Sequence, residues 1–279
     1  MTDEGGIHFR ILEDIARDLS GDVNFPTCLD AAILVRNTLK NPDISIEQVV
    51  RVVGSEPLIA TKLLRLANSV SHNPGGEAIA DLGLAISRLG FDSVRTTALA
   101  VSMEQMLRSR HLVAYDRISR QTWAHSIEVA TIARVLARHH RQVAPDAAML
   151  AGLVHQVGIF YLLYRAAEYP QYRDDEPAMI ELLKGWHEGV GDSLLPILGV
   201  PGVIVDAIRD LSHRQATFPP ATIGDVLHLA IQLADGTTMA WLDKPLAYHS
   251  VSAEEQAGYA AILQQARDDM VDLRVALAA

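Results

Sequence analysis

The sequence predicts an all-α fold, with an N-terminal helical subdomain packed on a helical bundle. Three observations carry that expectation. Apolar residues recur every three to four positions along almost every segment, and strand-like alternation is nearly absent. The connecting segments are short, as in a compact helical domain. Hydrophobic residues make up 49% of the chain but aromatics only 5%, so Ala, Leu, Ile and Val must fill the core.

The elements follow from periodicity and punctuation. A first helix is expected over Ile7–Leu19, where Ile11, Leu12, Ile15 and Leu19 share a face and Gly21 stops it. A second runs from Thr27 to Leu39 and ends before Pro42, because the residue ahead of a proline avoids helical backbone. Ser45 with Gln48 three residues on is a capping box, opening a helix to Val53. The next helix carries "PLIATKLLRLANS", and Asn68 reads as its cap. After the "SHNPGGE" loop, helices are expected over Ala78–Leu89 and Phe91–Leu107, broken at Gly90.

The polar stretch "RSRHLVAYD" marks a junction, dividing an N-terminal part, 1–110, from a second part, 111–279. Helices then resume over Asp116–His140, Pro145–Ala166, Pro177–Trp186, His187–Leu198, Pro201–Ser212, Ala221–Leu242 and Ala253–Ala278. Trp123 and Trp186 are expected to pack in the core. Arg88 and Arg95 are expected in salt bridges, with anion binding as the alternative.

Composition excludes several classes. The 24 basic and 34 acidic residues leave a net charge of −10, which disfavours direct nucleic-acid binding. The single cysteine, Cys28, cannot form an internal disulfide or a paired-cysteine metal site and reads as a buried structural thiol. The acidic N-terminus lacks a signal-peptide core. Apolar runs are expected to fall short of the ~20 residues that span a bilayer. A cytoplasmic protein without membrane insertion is the expectation.

The histidines hold the functional interest. At 100° per residue, His125 shares a face with Ile118, Thr122, Val129, Ile132 and Leu136, so it points inward. His155, in "LAGLVHQVGIF", lies on a segment that is apolar nearly all round. Asp235 lies in another stretch expected to form a buried helix, with Leu227, Ala230, Ile231 and Ala234, and needs a partner, because a buried carboxylate is costly alone. A purely structural hydrogen-bond network and a ligand set are both open on these residues.

At this point the chain resembles a known family. The run "FPTCLDAAILVRNTLKNPDISIEQVVRVVGSEPLIATKLLRLANS" is similar to the start of an HDOD domain, an HD-related output domain of bacterial signalling proteins. "AIADLGLAISRLGFDSVRTTALA", "WAHSIEVATIARVLAR", "AAMLAGLVHQVGIF" and "HEGVGDSLLPILGVP" resemble its later motifs. The likeness covers about 25–213. It implies that the second part is an HD-domain-like bundle.

The related HD phosphohydrolases bind metal through an ordered set: His, His-Asp, His, His-His, Asp. The resemblance carries these onto His125, His155-Gln156, His187, His213-Arg214 and Asp235. Gln156 replaces the acid of the doublet, and a neutral amide is a poor transition-metal ligand. Arg214 stands where a second imidazole would be, and a guanidinium cannot ligate metal. The resemblance therefore implies a non-catalytic signal-transduction module with a degenerate pocket: no catalytic residue, no cofactor and no metal. Its expected partners are signalling proteins or a nucleotide-type ligand, with a homo-oligomer as a further arrangement. The alternative is a metal-dependent phosphohydrolase of a nucleotide or cyclic dinucleotide. It would hold a divalent metal with His125, His155, His187, His213 and Asp235.

Overall fold

The computed structural model describes residues 4–20, 29–70, 72–173, 175–213, 217, 219–234 and 258–277. Cys28, Arg214 and Asp235 lie outside them. Among the described residues the chain is helical throughout, with no strand.

The N-terminal elements are α1 (Glu4–Ser20), α2 (Asp30–Leu39), α3 (Ile46–Gly54), α4 (Pro57–Ala67) and α5 (Leu82–Leu107). The expected capping box opens α3: Ser45 Oγ accepts from Gln48 N at 3.3 Å, and Gln48 Oε1 accepts from Ser45 N at 2.9 Å. Asn68 caps α4 and ties down the loop beyond. Its amide donates to the Leu64 and Ile79 carbonyls, and its Oδ1 accepts from Ile79 N. The first of the two helices expected around Gly90 starts four residues late, at Leu82, because Asp81 supplies the cap to Leu84 N at 2.7 Å. At Gly90 itself φ is 79° and ψ 164°, a backbone state open to glycine alone, and α5 kinks there.

A 3-10 turn, Arg110–Tyr115, leads into α6 (Asp116–His140). Then come α7 (Pro145–Val154), α8 (Val157–Ala166), α9 (Pro170–Arg173), α10 (Glu176–Ile197) and α11 (Gly202–Arg209). After a second 3-10 turn, Asp210–Ser212, come α12 (Ile223–Leu233) and α13 (Ala260–Leu277). The apolar segment Pro145–Ala166 is 22 residues long and apolar enough to cross a bilayer by composition, against expectation, yet 83% of its apolar window is buried inside the protein. It is also two helices rather than one, interrupted at His155-Gln156. Conversely, Pro177–Trp186 and His187–Leu198 merge into α10, because Leu183, His187, Val190 and Leu194 bury one continuous face. Trp186 points outward and is 48% exposed, contrary to the core packing expected of it. Trp123 meets Phe160 edge-on at 6.3 Å.

Two apolar cores result. The smaller one joins α2–α5 through residues such as Val35, Val53, Leu63, Ile86 and Val94. The larger one surrounds α6–α8 and takes in Ile11 and Ile15 of α1. α2 and α5 contribute to both, Val35 and Val101 on one side, Ala32 and Met103 on the other. α6 lies at the centre of the larger core, against α7, α12 and α13, and α13 also touches α4.

Two glycines set the closest helix approaches. A Cβ on Gly152 would lie 2.5 Å from Ala130 Cα of α6, and one on Gly158 only 2.0 Å from the His187 carbonyl of α10. Gly185, on the open face of α10, meets nothing within 4 Å. Gly158→Ala is therefore expected to destabilise the protein by about 1–3 kcal/mol through overpacking. Gly185→Ala should stabilise it by about 0.5–1 kcal/mol through helix propensity. Urea denaturation of both variants checks the contrast, and equal effects would refute it.

Candidate functional site

α6 carries His125 on the face expected for it, buried with Ile118, Thr122, Val129, Ile132 and Leu136. The hydroxyls sharing that interior fold back onto the helix: Thr122 donates to the Ile118 carbonyl at 2.8 Å and Thr131 to that of Ile127 at 2.6 Å. His155 ends α7 and Gln156 precedes α8. The Gly152 contact presses α7 onto α6, and the His125 and His155 rings lie 5.7 Å apart, tilted by 58°. The Gly158 contact presses α8 onto α10 beside His187, which is buried.

Hydrogen bonds orient two of these rings. His155 Nδ1 lies 2.7 Å from the Gly152 carbonyl, and His187 Nδ1 lies 2.7 Å from that of Leu183. A carbonyl only accepts, so both Nδ1 atoms carry a proton, and on the neutral His155 ring Nε2 presents a lone pair. His155 Nε2 is enclosed with no hydrogen-bond partner among the described residues. So is Oε1 of Gln156, which is 7% exposed. Orphaned buried polar atoms of this kind mark a place for water or a ligand.

Burial, with the neighbouring His125 and His187 acting in the same sense against the Gly152 hydrogen bond, lowers the His155 pKa to about 3. The ring is therefore neutral at physiological pH. The three imidazoles meet without an acid among the described residues. Among the described residues, no three His, Cys, Asp or Glu side chains are disposed to hold a metal ion. With the neutral amide of Gln156 in place of a carboxylate, the described donors do not fit a divalent metal.

The remaining predicted residues are placed less centrally. His213 is exposed at the end of the second 3-10 turn, unlike the buried His125 and His187 and the half-buried His155. α12 spans Ile223–Leu233, and the rest of the helix expected to Leu242, with Asp235, lies outside the described residues, as does Arg214.

The carboxylate that α12 buries is Asp225, 1% exposed. It accepts from Thr217 N and Oγ1, Ala221 N, and Thr222 N and Oγ1 at 2.7–3.2 Å. Burial opposes its ionisation, but these bonds hold its pKa at about 2. Thr222 with Asp225 three residues on is a capping-box pattern, a signal present in the sequence. His228, also buried, has Nε2 3.1 Å from the Gln232 amide. Arg95 forms the expected salt bridge, with Asp92 at 2.6 Å, whereas Arg88 donates to the neutral Asn73 Oδ1 at 2.6 Å rather than to an acid.

The described residues form an all-α chain in which imidazoles from successive helices come together. Comparison with known proteins makes this specific. The HDOD domain family matches residues 25–210, and the chain belongs to that family. An uncharacterised protein of Treponema pallidum (strain Nichols) is 22% identical over 223 residues, covering 73% of this chain. The match covers 41% of that protein's length. Among solved structures, a candidate metal-dependent phosphohydrolase from Shewanella amazonensis SB2B superposes with a TM-score of 0.71 at 20% identity, covering 98% of this chain and all of the other. An HDOD domain protein of unknown function from Geobacter sulfurreducens gives 0.58 at 21% identity, covering 97% and 98% of the two chains. A candidate signal transduction protein from Marinobacter aquaeolei VT8 gives 0.53 at 18% identity, covering 95% of this chain and 66% of the other. At these identities the likeness is one of fold.

A depressed histidine pKa has a defined consequence. The unfolded His155 titrates near 6.5 and the folded one near 3, so the unfolded chain binds the extra proton first as pH falls. His72, held at about 4 by burial and by Arg134, Arg138 and Arg88, acts in the same sense. Stability is expected to be full above pH 6.5 and to fall steadily between pH 6.5 and 4. His155→Gln should flatten part of that slope. Thermal melts across this range check it, and an unchanged slope in the variant would contradict the assignment.

Proposed function

We propose that the chain is a regulatory module of bacterial signal transduction that works by binding rather than by catalysis. Gln156 carries this reading. It occupies the position where the related hydrolases place a metal-binding acid, and its enclosed Oε1 has no partner among the described residues. A neutral amide adds no negative charge to hold a divalent cation or to help activate its bound water. The remnant pocket comprises His125, His155, Gln156 and His187, with His213, Arg214 and Asp235 as further members by the order of the family's ligands. Membership of the HDOD family supports a regulatory role, and so does the fold shared with the Marinobacter protein described as a candidate in signal transduction. Its partners are signalling proteins or a nucleotide-type ligand, with self-association as a further mode, and no cofactor takes part.

A metal-dependent phosphohydrolase is the competing reading. The observation in its favour is that His155 and His187 both commit Nδ1 to a main-chain carbonyl, the arrangement that prepares Nε2 of a metal-ligating histidine. Protein purified without chelator separates the two. The expected result is far less than one equivalent of Fe, Mn, Zn or Ni by mass spectrometry. Melting should remain cooperative in chelator, and bis(p-nitrophenyl) phosphate should not turn over. Stoichiometric metal with turnover would establish the hydrolase instead.

A further inference from the structure

Away from the histidine cluster, a chain of hydrogen bonds crosses from the N-terminal part to the second part. Its middle member is His72, half-buried in the loop between α4 and α5. An NH2 group of Arg134, on α6, lies 2.7 Å from His72 Nε2. A guanidinium only donates, so Nε2 accepts and Nδ1 carries the ring proton. Nδ1 then donates to Ser69 Oγ at 3.0 Å, and that hydroxyl donates to the Leu66 carbonyl at 2.8 Å. Each donor in the chain meets an acceptor, and both ring nitrogens are used.

The rest of the loop is tied to its own subdomain. The His72 and Asn73 amides donate to the Ser69 carbonyl at 3.0 and 2.8 Å. Asn68 holds the main chain of Ile79. Arg88 of α5 donates to Asn73 Oδ1 at 2.6 Å and to the His72 carbonyl at 3.4 Å. The His72 ring adds a tie to α6, at a guanidinium that is 8% exposed.

The charges acting on the ring are cations. Burial disfavours its protonated form first, then Arg134, Arg138 and Arg88. The acids on the neighbouring helices are directed at other groups. Asp146 of α7 lies 3.6 Å from Arg134 Nε, and Asp269 of α13 lies 3.0 Å from Arg138. Glu104 of α5 pairs with Lys62 of α4. A second proton on the ring turns Nε2 into a donor that faces the donor of Arg134. The hydrogen bond is lost, and two cations are set against each other in its place.

We propose that Ser69, His72 and Arg134 form an acid-released latch, which holds the α4–α5 loop on α6 while the ring is neutral and frees it when the ring takes a second proton. The latch lies between the two parts of the chain and works independently of the histidine cluster.

Linkage sets the range of release. The ring titrates near 4 when the latch is closed and near 6.5 when the loop is open to water. The open form therefore binds the proton first as pH falls. Opening grows from pH 6.5 downward and levels off below pH 4. Between pH 7.5 and 5.5 the open population rises about tenfold.

Hydrogen exchange of the full chain, read by mass spectrometry and corrected for the intrinsic rate at each pH, tests the latch. In peptides spanning the loop, protection should fall about tenfold from pH 7.5 to 5.5. Loop amides should also exchange faster than those of α8 at both pH values, because the loop opens without the core. His72→Gln keeps an acceptor for Arg134 but cannot titrate, and it should abolish the fall. No fall in the wild type, an undiminished fall in His72→Gln, or loop amides that exchange no faster than those of α8 overturns the proposal.

Discussion

The site depends on two backbone-to-backbone contacts. Gly152 lets α7 settle against Ala130 of α6, and Gly158 lets α8 settle against the His187 carbonyl of α10. Both glycines flank the His155-Gln156 step, where the helical run is interrupted. One interruption between two close contacts lets the chain change direction without leaving the core. It also brings imidazoles from α6, the α7–α8 step and α10 to one place. Any side chain larger than hydrogen at either glycine would push a backbone away, and the rings would separate with it.

The gathered histidines show how low dielectric shapes chemistry. Enclosure disfavours the charged imidazole, and each neighbour disfavours it further. His155 is therefore a neutral member of the cluster. Asp225 is the contrasting case, a carboxylate just as buried by area but surrounded by five donors that keep it ionised. A buried acid persists where the backbone and hydroxyls satisfy it. Around His155 no described residue supplies a carboxylate, and Oε1 of Gln156 takes none of those bonds.

The boundary between the cores follows a different rule. There the polar groups are cations, and most are answered by an acid: Lys62 by Glu104, Arg138 by Asp269. Arg134 is answered incompletely, with a histidine on one side and Asp146 out of hydrogen-bond reach on the other. A guanidinium needs a planar, close partner to offset its desolvation.

Local chemistry was enough to read most of the fold from the sequence. Asp116–His140 emerged with the ends expected, and the capping box at Ser45, the kink at Gly90 and the inward face of His125 all follow from rules acting within a turn or two. The family likeness over 25–213 likewise rests on contiguous motifs and matches the span observed, 25–210. The elements that differed answer to distant partners. Pro145–Ala166 reads as one apolar helix because its composition is uniform, and only packing on α6 and α10 decides that it breaks at His155. α10 reads as two helices because glycine and histidine interrupt the pattern, and only the shared buried face joins them. Trp186 faces outward for the same reason, since its neighbours occupy that buried face. Lys62, Arg134 and His72 are far apart along the chain and carry no local signal of meeting. The sequence by itself determined which segments coil and which residues prefer the interior. The tertiary structure decided which buried groups meet, because that depends on how closely the backbones of separate helices can approach.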